Sequence, residues 1–216
     1  MYKCCVFDLD GTLLDTLTAL SYCTNHVTMG YGMGEIPREE FKWMVGDGYV
    51  NQMKRALSYL GDKDLVHLEE CCKNYMEFFA RNCLHGVVPY EGIPELLAEL
   101  KKRGLILTVF SNKPDQQARD NITGIFGPDL FDHVAGQKEG FPKKPDPAGA
   151  LRIAEIYGVK PEECLYIGDT NTDMKTGVAA GMYTIGVLWG FRDREELEAC
   201  HPDRIIEHPL EILDFL

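Results

Sequence analysis

Apolar residues along this chain follow two different spacings, and the change between them divides it into two kinds of structure. Residues 3–8 form a short apolar run with the length of a buried strand, and the run ends in Asp-Leu-Asp-Gly. From about residue 15 to residue 86 the apolar positions fall at helical spacing. The clearest set is Leu65, Leu68, Cys72, Tyr75 and Phe79. This region predicts a helical bundle, because no convincing strand pattern occurs in it.

Beyond residue 86, short apolar runs alternate with amphipathic helical stretches. The helix that contains Ile93, Leu96, Leu97 and Leu100 is predicted to end at Gly104, which serves as its cap. The predicted strands are residues 105–110, 133–135, 164–167, 183–187 and 204–206. Because the main runs are apolar along their whole length, they favour a parallel sheet with both faces covered by helices.

The order of these elements predicts an α/β fold, a doubly wound parallel sheet with an inserted helical domain. The first strand is separated from the others by about 70 residues of helical pattern, which is near the lower end of domain size. We therefore predict a core domain from residues 1–14 and 86–216, and a helical domain from residues 15–85.

Composition narrows the function classes. The formal net charge is −12, whereas nucleic-acid binding usually leaves a basic surface, so neither nucleic acid nor a membrane is expected as a partner. The eight cysteines contain no C-x-x-C spacing, and Cys4, Cys5 and Cys164 sit in apolar runs as small core residues. Together with the lack of an apolar leader, reduced cysteines favour a cytoplasmic location.

Polar side chains stand at the ends of the predicted strands. Ligands of open parallel sheets bind beyond the carboxyl ends of the strands, so these side chains are candidates for a common site. They are Asp8, Asp10, Ser111, Asn112, Asp169 and Asp173, with Lys144 in a loop before a helix.

Asp8 and Asp10 are two residues apart, which on an extended chain places both carboxylates on one side. Such close carboxylates, with Asp169 and Asp173 nearby, repel one another unless a cation intervenes. Oxygen donors without His or Cys indicate Mg²⁺ rather than zinc. An EF-hand loop that starts at Asp8 is excluded, because its closing glutamate would fall at Ala19.

Each of these motifs also has an ordinary structural interpretation. Asp-Leu-Asp-Gly is a common turn, and Ser111-Asn112 has the composition of a helix N-cap. Lys144 by itself would be a solvated surface lysine, and the segment from Asp169 to Asp173 a capped strand-to-helix joint. Their joint occurrence, in order and beside strand ends, favours a functional site.

The motifs together resemble those of the haloacid dehalogenase superfamily, over essentially the whole chain. Phe-Asp-Leu-Asp-Gly-Thr from residue 7, Ser111, Lys144 in Lys-Pro-Asp-Pro, and Gly-Asp-Thr-Asn-Thr-Asp from residue 168 are similar to its four ordered motifs. The helical insertion resembles the cap domain of its first subclass. Short patterns at residues 45–48, 89–93 and 111–114 resemble phosphoglycolate phosphatases.

The resemblance implies a phosphatase mechanism. Asp8 would be the nucleophile that forms an aspartyl-phosphate, and Asp10 the general acid and then the general base. Ser111, the Asn112 amide and Lys144 would bind the substrate phosphate, since the Lys-Pro-x-Pro pattern selects Lys144 rather than Lys143. Mg²⁺ would be held by Asp8, the Asp10 carbonyl and Asp169. Asp173 would orient Lys144 or a metal-bound water.

The helical insertion contains further candidates. The loop at residues 46–48 could close over the substrate, or be a plain turn between two helices. Lys42, Lys54 and Arg55 could meet a substrate carboxylate, although solvated helix faces are their usual place. Asp15 could be a hinge or a helix cap. Trp43, Trp189 and Phe191 are candidates for an interface, but core packing is the better expectation.

The leading hypothesis is a Mg²⁺-dependent phosphomonoester hydrolase acting on a small phosphorylated metabolite, with phosphoglycolate preferred. A β-phosphoglucomutase-like isomerase would share the motifs, but the lysine-serine-arginine pattern of its cap loop is not found near Gly46. A pyrophosphatase or nucleotidase stays open, and so does a non-catalytic phosphate-binding protein. The chain could be a monomer or a homodimer.

Overall fold

The computed structural model describes residues 2–216, and the chain divides into two compact units. One unit combines the residues up to Asp15 with Val88–Leu216, and the other is Thr16–Val87. Within the described residues, every strand belongs to the first unit, and the second is built from helices and turns. The interpretation of residues 15–85 as a cap domain stays a prediction.

Six strands of the first unit form one parallel sheet. The strands in chain order are β1 (Cys4–Phe7), β2 (Leu14–Asp15), β3 (Val88–Pro89), β4 (Ile106–Pro114), β5 (His133–Gln137), β6 (Cys164–Gly168), β7 (Tyr183–Val187) and β8 (Arg204–Ile206). The spatial order of the sheet is β5-β4-β1-β6-β7-β8. Strand β1 therefore lies between two halves that the chain builds in opposite directions, which confirms the predicted doubly wound fold.

Helices cover this sheet and make up the second unit. They are α1 (Leu17–Met29), α2 (Tyr49–Tyr59), α3 (Leu68–Asn82), α4 (Ile93–Lys102), α5 (Asp115–Phe126), α6 (Ala148–Ile156), α7 (Asn171–Ala180) and α8 (Arg194–Glu198). Short 3-10 segments occur at Arg38–Trp43, Pro161–Glu163 and Pro209–Phe215. Among the described helices, none is both long and apolar enough to cross a membrane.

Part of the core lies where helix α6 meets the sheet. Phe110 and Tyr166 are buried there together with Ile153 of the helix. A Cβ atom added to Gly149 would lie 2.2 Å from the Phe110 ring, so only glycine lets the helix approach this far. Truncation of a buried phenylalanine usually costs about 3–5 kcal/mol. This packing fixes the helix that follows the Lys144 loop.

Strand β4 differs from its prediction at its carboxyl end. Its pairing with β5 is regular up to Phe110, shifts register, and resumes at Pro114. Ser111 and Asn112 lie inside this irregular stretch and not beyond the strand. Helix α5 begins only at Asp115, with Pro114 before it, so the N-cap interpretation of Ser111-Asn112 was wrong. The irregularity turns the strand's end without ending it.

Two smaller differences from the sequence predictions concern a pair of short strands and the end of a helix. Strands β2 and β3 were not predicted, because two residues each are too few to show a period; they pair antiparallel through Leu14 with Pro89 and Asp15 with Val88. Helix α4 ends at Lys102 with Arg103 as its C-cap, and Gly104 follows in the left-handed region with φ 78°. Gly104 therefore occupies the position just after the cap, where glycine terminates helices most often.

Candidate active site

Three neighbouring strands bring the predicted motif residues together. Asp8 follows β1, Asp169 follows β6 and Ser111 lies in β4, and all three are buried. Because β1 is paired in parallel with both β4 and β6, the carboxyl ends of the three strands meet at one edge of the sheet. Carboxylate oxygens of Asp8, Asp169 and Asp173 lie within 4.8 Å of one another.

Lys144 lies among these carboxylates. Its Nζ is 2.8 Å from Asp8 Oδ1 and 2.6 Å from Asp173 Oδ1, and its side chain is 1% exposed. A fully buried lysine is rare unless it is paired, so this residue is not the solvated surface lysine considered above. Its neighbour Lys143 is exposed.

The side chain of Asn112 holds the backbone of Lys144. Asn112 Oδ1 accepts the Lys144 N–H at 2.9 Å, and Asn112 Nδ2 donates to the Lys144 carbonyl at 3.1 Å. The side-chain amide is therefore engaged with the lysine loop. Binding of a substrate phosphate by Ser111 and by the Asn112 amide stays a prediction.

Asp169 is fixed from both sides by the protein. Its Oδ1 accepts a bond from the Thr12 hydroxyl at 3.0 Å, and its Oδ2 accepts the Phe191 N–H at 2.8 Å. A Cβ atom on Gly11 would lie 2.2 Å from Asp169 Oδ2, and one on Gly190 would lie 2.3 Å from Asp169 Cβ. These two glycines allow the backbone to approach the carboxylate closely.

Asp173 has two roles in the local structure. Its Oδ2 accepts bonds from the Thr170 N–H at 3.1 Å and from the Thr170 hydroxyl at 2.6 Å. Thr170 is in turn the N-cap of α7, so the predicted capped joint is confirmed. Because Oδ1 of Asp173 contacts Lys144, the same residue completes the capping box of α7 and positions the lysine.

Asp10 lies apart from the three clustered carboxylates and has its own cation. Its Oδ1 is 2.8 Å from Lys113 Nζ, and the Lys113 side chain is 1% exposed. Sequence reasoning missed Lys113 as a site residue, since one lysine after Ser-Asn carries no local signal of burial. The predicted part of Asp10 in metal binding concerns its backbone carbonyl, which is compatible with this side-chain pairing.

Burial and charge crowding set the electrostatics of the site. Burial and then the charge of Asp173 raise the pKa of Asp8, Lys144 opposes the rise, and the net result is a pKa of about 7. Burial, followed by the charges of Asp173 and Asp8, also holds the pKa of Asp169 well above its ordinary value. Burial alone would lower the pKa of Lys144, but Asp173 and Asp8 outweigh it and raise that pKa. The lysine therefore stays charged.

These residues fit a divalent cation. Three buried carboxylates face one buried ammonium, which leaves a surplus of negative charge in a region that water does not screen. Their donors are oxygen atoms, and hard oxygen donors are the ligands that Mg²⁺ prefers.

The helical unit has a braced loop at residues 46–48, for which the sequence left open a lid or a plain turn between helices. Gly46 and Gly48, with φ 117° and 98°, flank Asp47 between Arg38–Trp43 and helix α2, which confirms a turn between helices. Arg55 binds both oxygens of Asp47, at 2.6 and 2.5 Å, and donates to the Met44 carbonyl at 2.8 Å. Arg55 is thus engaged within its own unit.

The three aromatic residues considered as interface candidates differ in their exposure. Trp43 is 55% exposed, so core packing was the wrong expectation for it, whereas Phe191 is buried. Trp189 is half-buried, and its Nε1 donates to the Thr12 carbonyl at 2.9 Å. Trp189 therefore supports the segment whose Thr12 side chain holds Asp169.

The core is a doubly wound α/β fold, and clustered aspartates and a buried lysine lie at the carboxyl edge of its sheet. These are the features of a phosphoryl-transfer hydrolase, the class of enzyme that the sequence predicted. Residues 5–187 match the model of the haloacid dehalogenase-like hydrolase family. The chain belongs to this family.

Individual relatives agree with this assignment. A phosphoglycolate phosphatase from Rhodospirillum rubrum is 31% identical over 88% of this chain and 81% of its own. An N-acetylmuramic acid 6-phosphate phosphatase from Pseudomonas aeruginosa is 29% identical over 99% and 94%. The fold alone is shared with the solved structure of a haloacid dehalogenase-like family protein from Streptococcus pneumoniae, which superposes with a TM-score of 0.88, at 23% identity over 99% and 98% of the two chains.

These findings confirm several predictions. The chain is a phosphoglycolate phosphatase-like member of the family, and it is an enzyme of the phosphatase type. The individual roles of Asp8, Asp10, Ser111, Asn112, Lys144, Asp169 and Asp173 stay predictions.

Proposed function

We propose that this chain is a Mg²⁺-dependent phosphomonoester hydrolase that works through an aspartyl-phosphate on Asp8. The observation that carries the proposal is the placement of Asp8 in a buried ion pair with Lys144, 2.8 Å away, beside two further carboxylates. Lys144 and a bound cation would together remove the charge repulsion between Asp8 and the substrate phosphate.

The residues of the chain would divide the reaction into two steps. Asp8 forms a bond to phosphorus while the bond to the ester oxygen breaks, and Asp10 gives that oxygen a proton. Asp10 then takes a proton from water as the water oxygen attacks phosphorus, and Asp8 leaves with its original charge. Ser111, the Asn112 amide and Lys144 hold the phosphoryl oxygens in both steps.

Mg²⁺ would be held by Asp8, the Asp10 carbonyl and Asp169. The chemistry it supplies when bound is neutralisation of charge on the phosphoryl oxygens. The bonds from Thr12 and Phe191 to Asp169 would keep that ligand in one orientation before the cation arrives.

The substrate class is a small phosphorylated metabolite, and we propose 2-phosphoglycolate first. Phosphoglycolate phosphatases recur among the relatives, at identities of 25–31%. N-acetylmuramic acid 6-phosphate is the second candidate, because the relative with that activity matches this chain at a similar identity and coverage. A cytoplasmic location stays a prediction.

The test begins with phosphate release from p-nitrophenyl phosphate by the purified chain, with Mg²⁺ or with a chelator. Wild type should turn over only with the metal, and Asp8→Asn should not. Equal turnover by Asp8→Asn, or none by wild type, would sink the proposed mechanism.

A panel should then contain 2-phosphoglycolate, N-acetylmuramic acid 6-phosphate, hexose phosphates, nucleotides and pyrophosphate. Preferential hydrolysis of 2-phosphoglycolate would support the first substrate. Isomerisation of a hexose phosphate without net phosphate release would instead identify a mutase.

A further inference from the structure

Lys113 is a buried cation that has no role in the reaction proposed above. Its side chain is 1% exposed, and its Nζ lies 2.8 Å from Oδ1 of Asp10. The two residues are 103 positions apart, so the pair depends on the pairing of β1 with β4. A lysine is almost never fully buried unless it is paired, because its desolvation has to be offset.

The backbone of Lys113 is fixed before its side chain reaches Asp10. Its N–H donates to Ser111 Oγ at 3.2 Å. On the other side β5 comes so close that a Cβ atom on Gly136 would lie 2.7 Å from the Lys113 carbonyl and 2.5 Å from Asp115 Cα. The lysine stem therefore starts from a constrained position in the irregular part of β4, and its ammonium is directed to Asp10.

The two lysines of the site have separate partners. Lys144 contacts Asp8 and Asp173, which are the carboxylates on the side of the attacking nucleophile. Lys113 contacts Asp10, which acts on the leaving group in the proposed reaction. The nucleophile Asp8 and the proton-transfer residue Asp10 are therefore each paired with a buried ammonium group.

We propose that Lys113 is a positioning residue for Asp10, holding its carboxyl group in the orientation for proton transfer to and from the leaving-group side. The inference rests on the proposed function, since it acts through the proton-transfer role of Asp10. Lys113 pairs with Oδ1, so the proposal assigns the proton transfer to Oδ2. In the first step the proton passes from Asp10 to the ester oxygen as the phosphorus–oxygen bond breaks, and in the second Asp10 takes a proton from water.

Leaving-group dependence separates this role from a general structural one. An alkyl alcohol needs a proton to leave, whereas 2,4-dinitrophenolate leaves readily as the anion. Lys113→Met should therefore lower kcat for β-glycerophosphate by about 100-fold, the scale of a 1 Å misplacement, and lower formation of the phosphoenzyme from 2,4-dinitrophenyl phosphate by less than about threefold. The burst of dinitrophenolate in rapid mixing measures that first step alone.

The burst amplitude counts the active sites of each sample, and kcat is divided by it before the two rates are compared, so a partly unfolded preparation cannot produce the effect. Lys113→Arg keeps a buried donor and should recover most of the β-glycerophosphate rate. Lys3→Met is the control, since Lys3 also forms an ion pair, 2.6 Å from Glu163, but its side chain is 58% exposed and it precedes β1, away from the carboxyl ends of the strands. It should leave the ratio unchanged.

A double-mutant cycle with Asp10→Asn completes the test. If Lys113 acts through Asp10, then Lys113→Met should change kcat for β-glycerophosphate by less than about twofold in the Asp10→Asn background, against about 100-fold in wild type, so that the two substitutions are not additive. Additive effects, or an equal loss with both substrates, would overturn the inference while leaving the proposed function intact. Absence of turnover in wild type would overturn both.

Discussion

Lys144 and Asp173 meet in a buried ion pair, with Nζ 2.6 Å from Oδ1 and side-chain exposures of 1% and 0%. The other oxygen of Asp173 accepts bonds from Thr170 at the start of α7. The pair therefore connects the loop before α6 to the first turn of α7. It also places the lysine next to Asp8, so that the geometry of the nucleophile depends on two segments that are distant in sequence.

Removal of the Lys144 ammonium should cost both stability and activity. Lys144→Met leaves Asp8 and Asp173 buried without their cation, and breaking such a pair by removing one partner typically costs about 3–5 kcal/mol. Urea unfolding in the presence of a chelator measures the free energy, and phosphate release measures the activity. Lys143→Met is the control, because Lys143 is exposed. A Lys144→Met protein as stable as that control would contradict the buried-pair interpretation.

The raised pKa of Asp8 predicts a stability that changes with pH in the metal-free protein. Burial raises this pKa from 3.8 to about 7, so between these values the folded state binds more protons than the unfolded state. Stability contributed by Asp8 is then lost as pH rises from about 4 to about 7, because in this range the unfolded chain releases a proton that the folded chain retains. The urea midpoint of wild type, measured with a chelator present, should therefore fall as pH rises from about 4 to about 7.

Asp8→Asn is the comparison for that measurement, since it removes one titrating group and keeps the size of the side chain. The variant should show a less negative slope of stability against pH over the same window. Some negative contribution should remain, because the pKa of Asp169 is raised as well. Identical slopes for the two proteins would mean that Asp8 ionises normally.

The close approach of Gly190 to Asp169 predicts a cost in metal binding. A Cβ atom at residue 190 would lie 2.3 Å from Asp169 Cβ and 2.5 Å from the Gly11 carbonyl, neither of which can move without displacing the backbone. Gly190→Ala should therefore reduce the stabilisation that Mg²⁺ gives, which for an intact site is about 2.7 kcal/mol at one hundred times the dissociation constant. Thermal unfolding with and without Mg²⁺ measures it.

Gly34→Ala is the matched control for that substitution. A Cβ atom at Gly34 has its nearest neighbour, Leu60 Cδ2, at 3.9 Å, which is an ordinary contact. This variant should respond to Mg²⁺ as wild type does. An equal response of the Gly190→Ala protein would show that Asp169 tolerates displacement.

The bond between Arg55 and Asp47 predicts local order in the helical unit. Arg55→Lys loses the two-pronged contact with Asp47 and the bond to the Met44 carbonyl. The side chains are 42% and 28% exposed, so the global cost should stay within about 1 kcal/mol. Hydrogen exchange of peptides that cover residues 44–52 should accelerate, with Arg152→Lys as a surface control. Unchanged exchange there would show that the two glycines alone hold the loop.

The predictions made from sequence succeeded where the signal was local. The apolar runs of β1 and β6 located the centre of the sheet, because strands buried on both faces have no polar alternation. The motif order then indicated which residues stand at strand ends. We did not predict the two-residue strands β2 and β3 or the irregular end of β4, because neither feature produces a periodic pattern of apolar residues.

The sequence by itself determined the fold class, the family and the identity of the strand-end aspartates with Lys144, since all of these depend on short patterns of neighbouring residues. Only the tertiary structure decided which charges pair with one another. Lys113 meets Asp10 across 103 residues, and Asn112 holds the backbone of Lys144 across 32. Such contacts arise when parallel strands align their ends, and their energies depend on burial that a linear pattern does not encode.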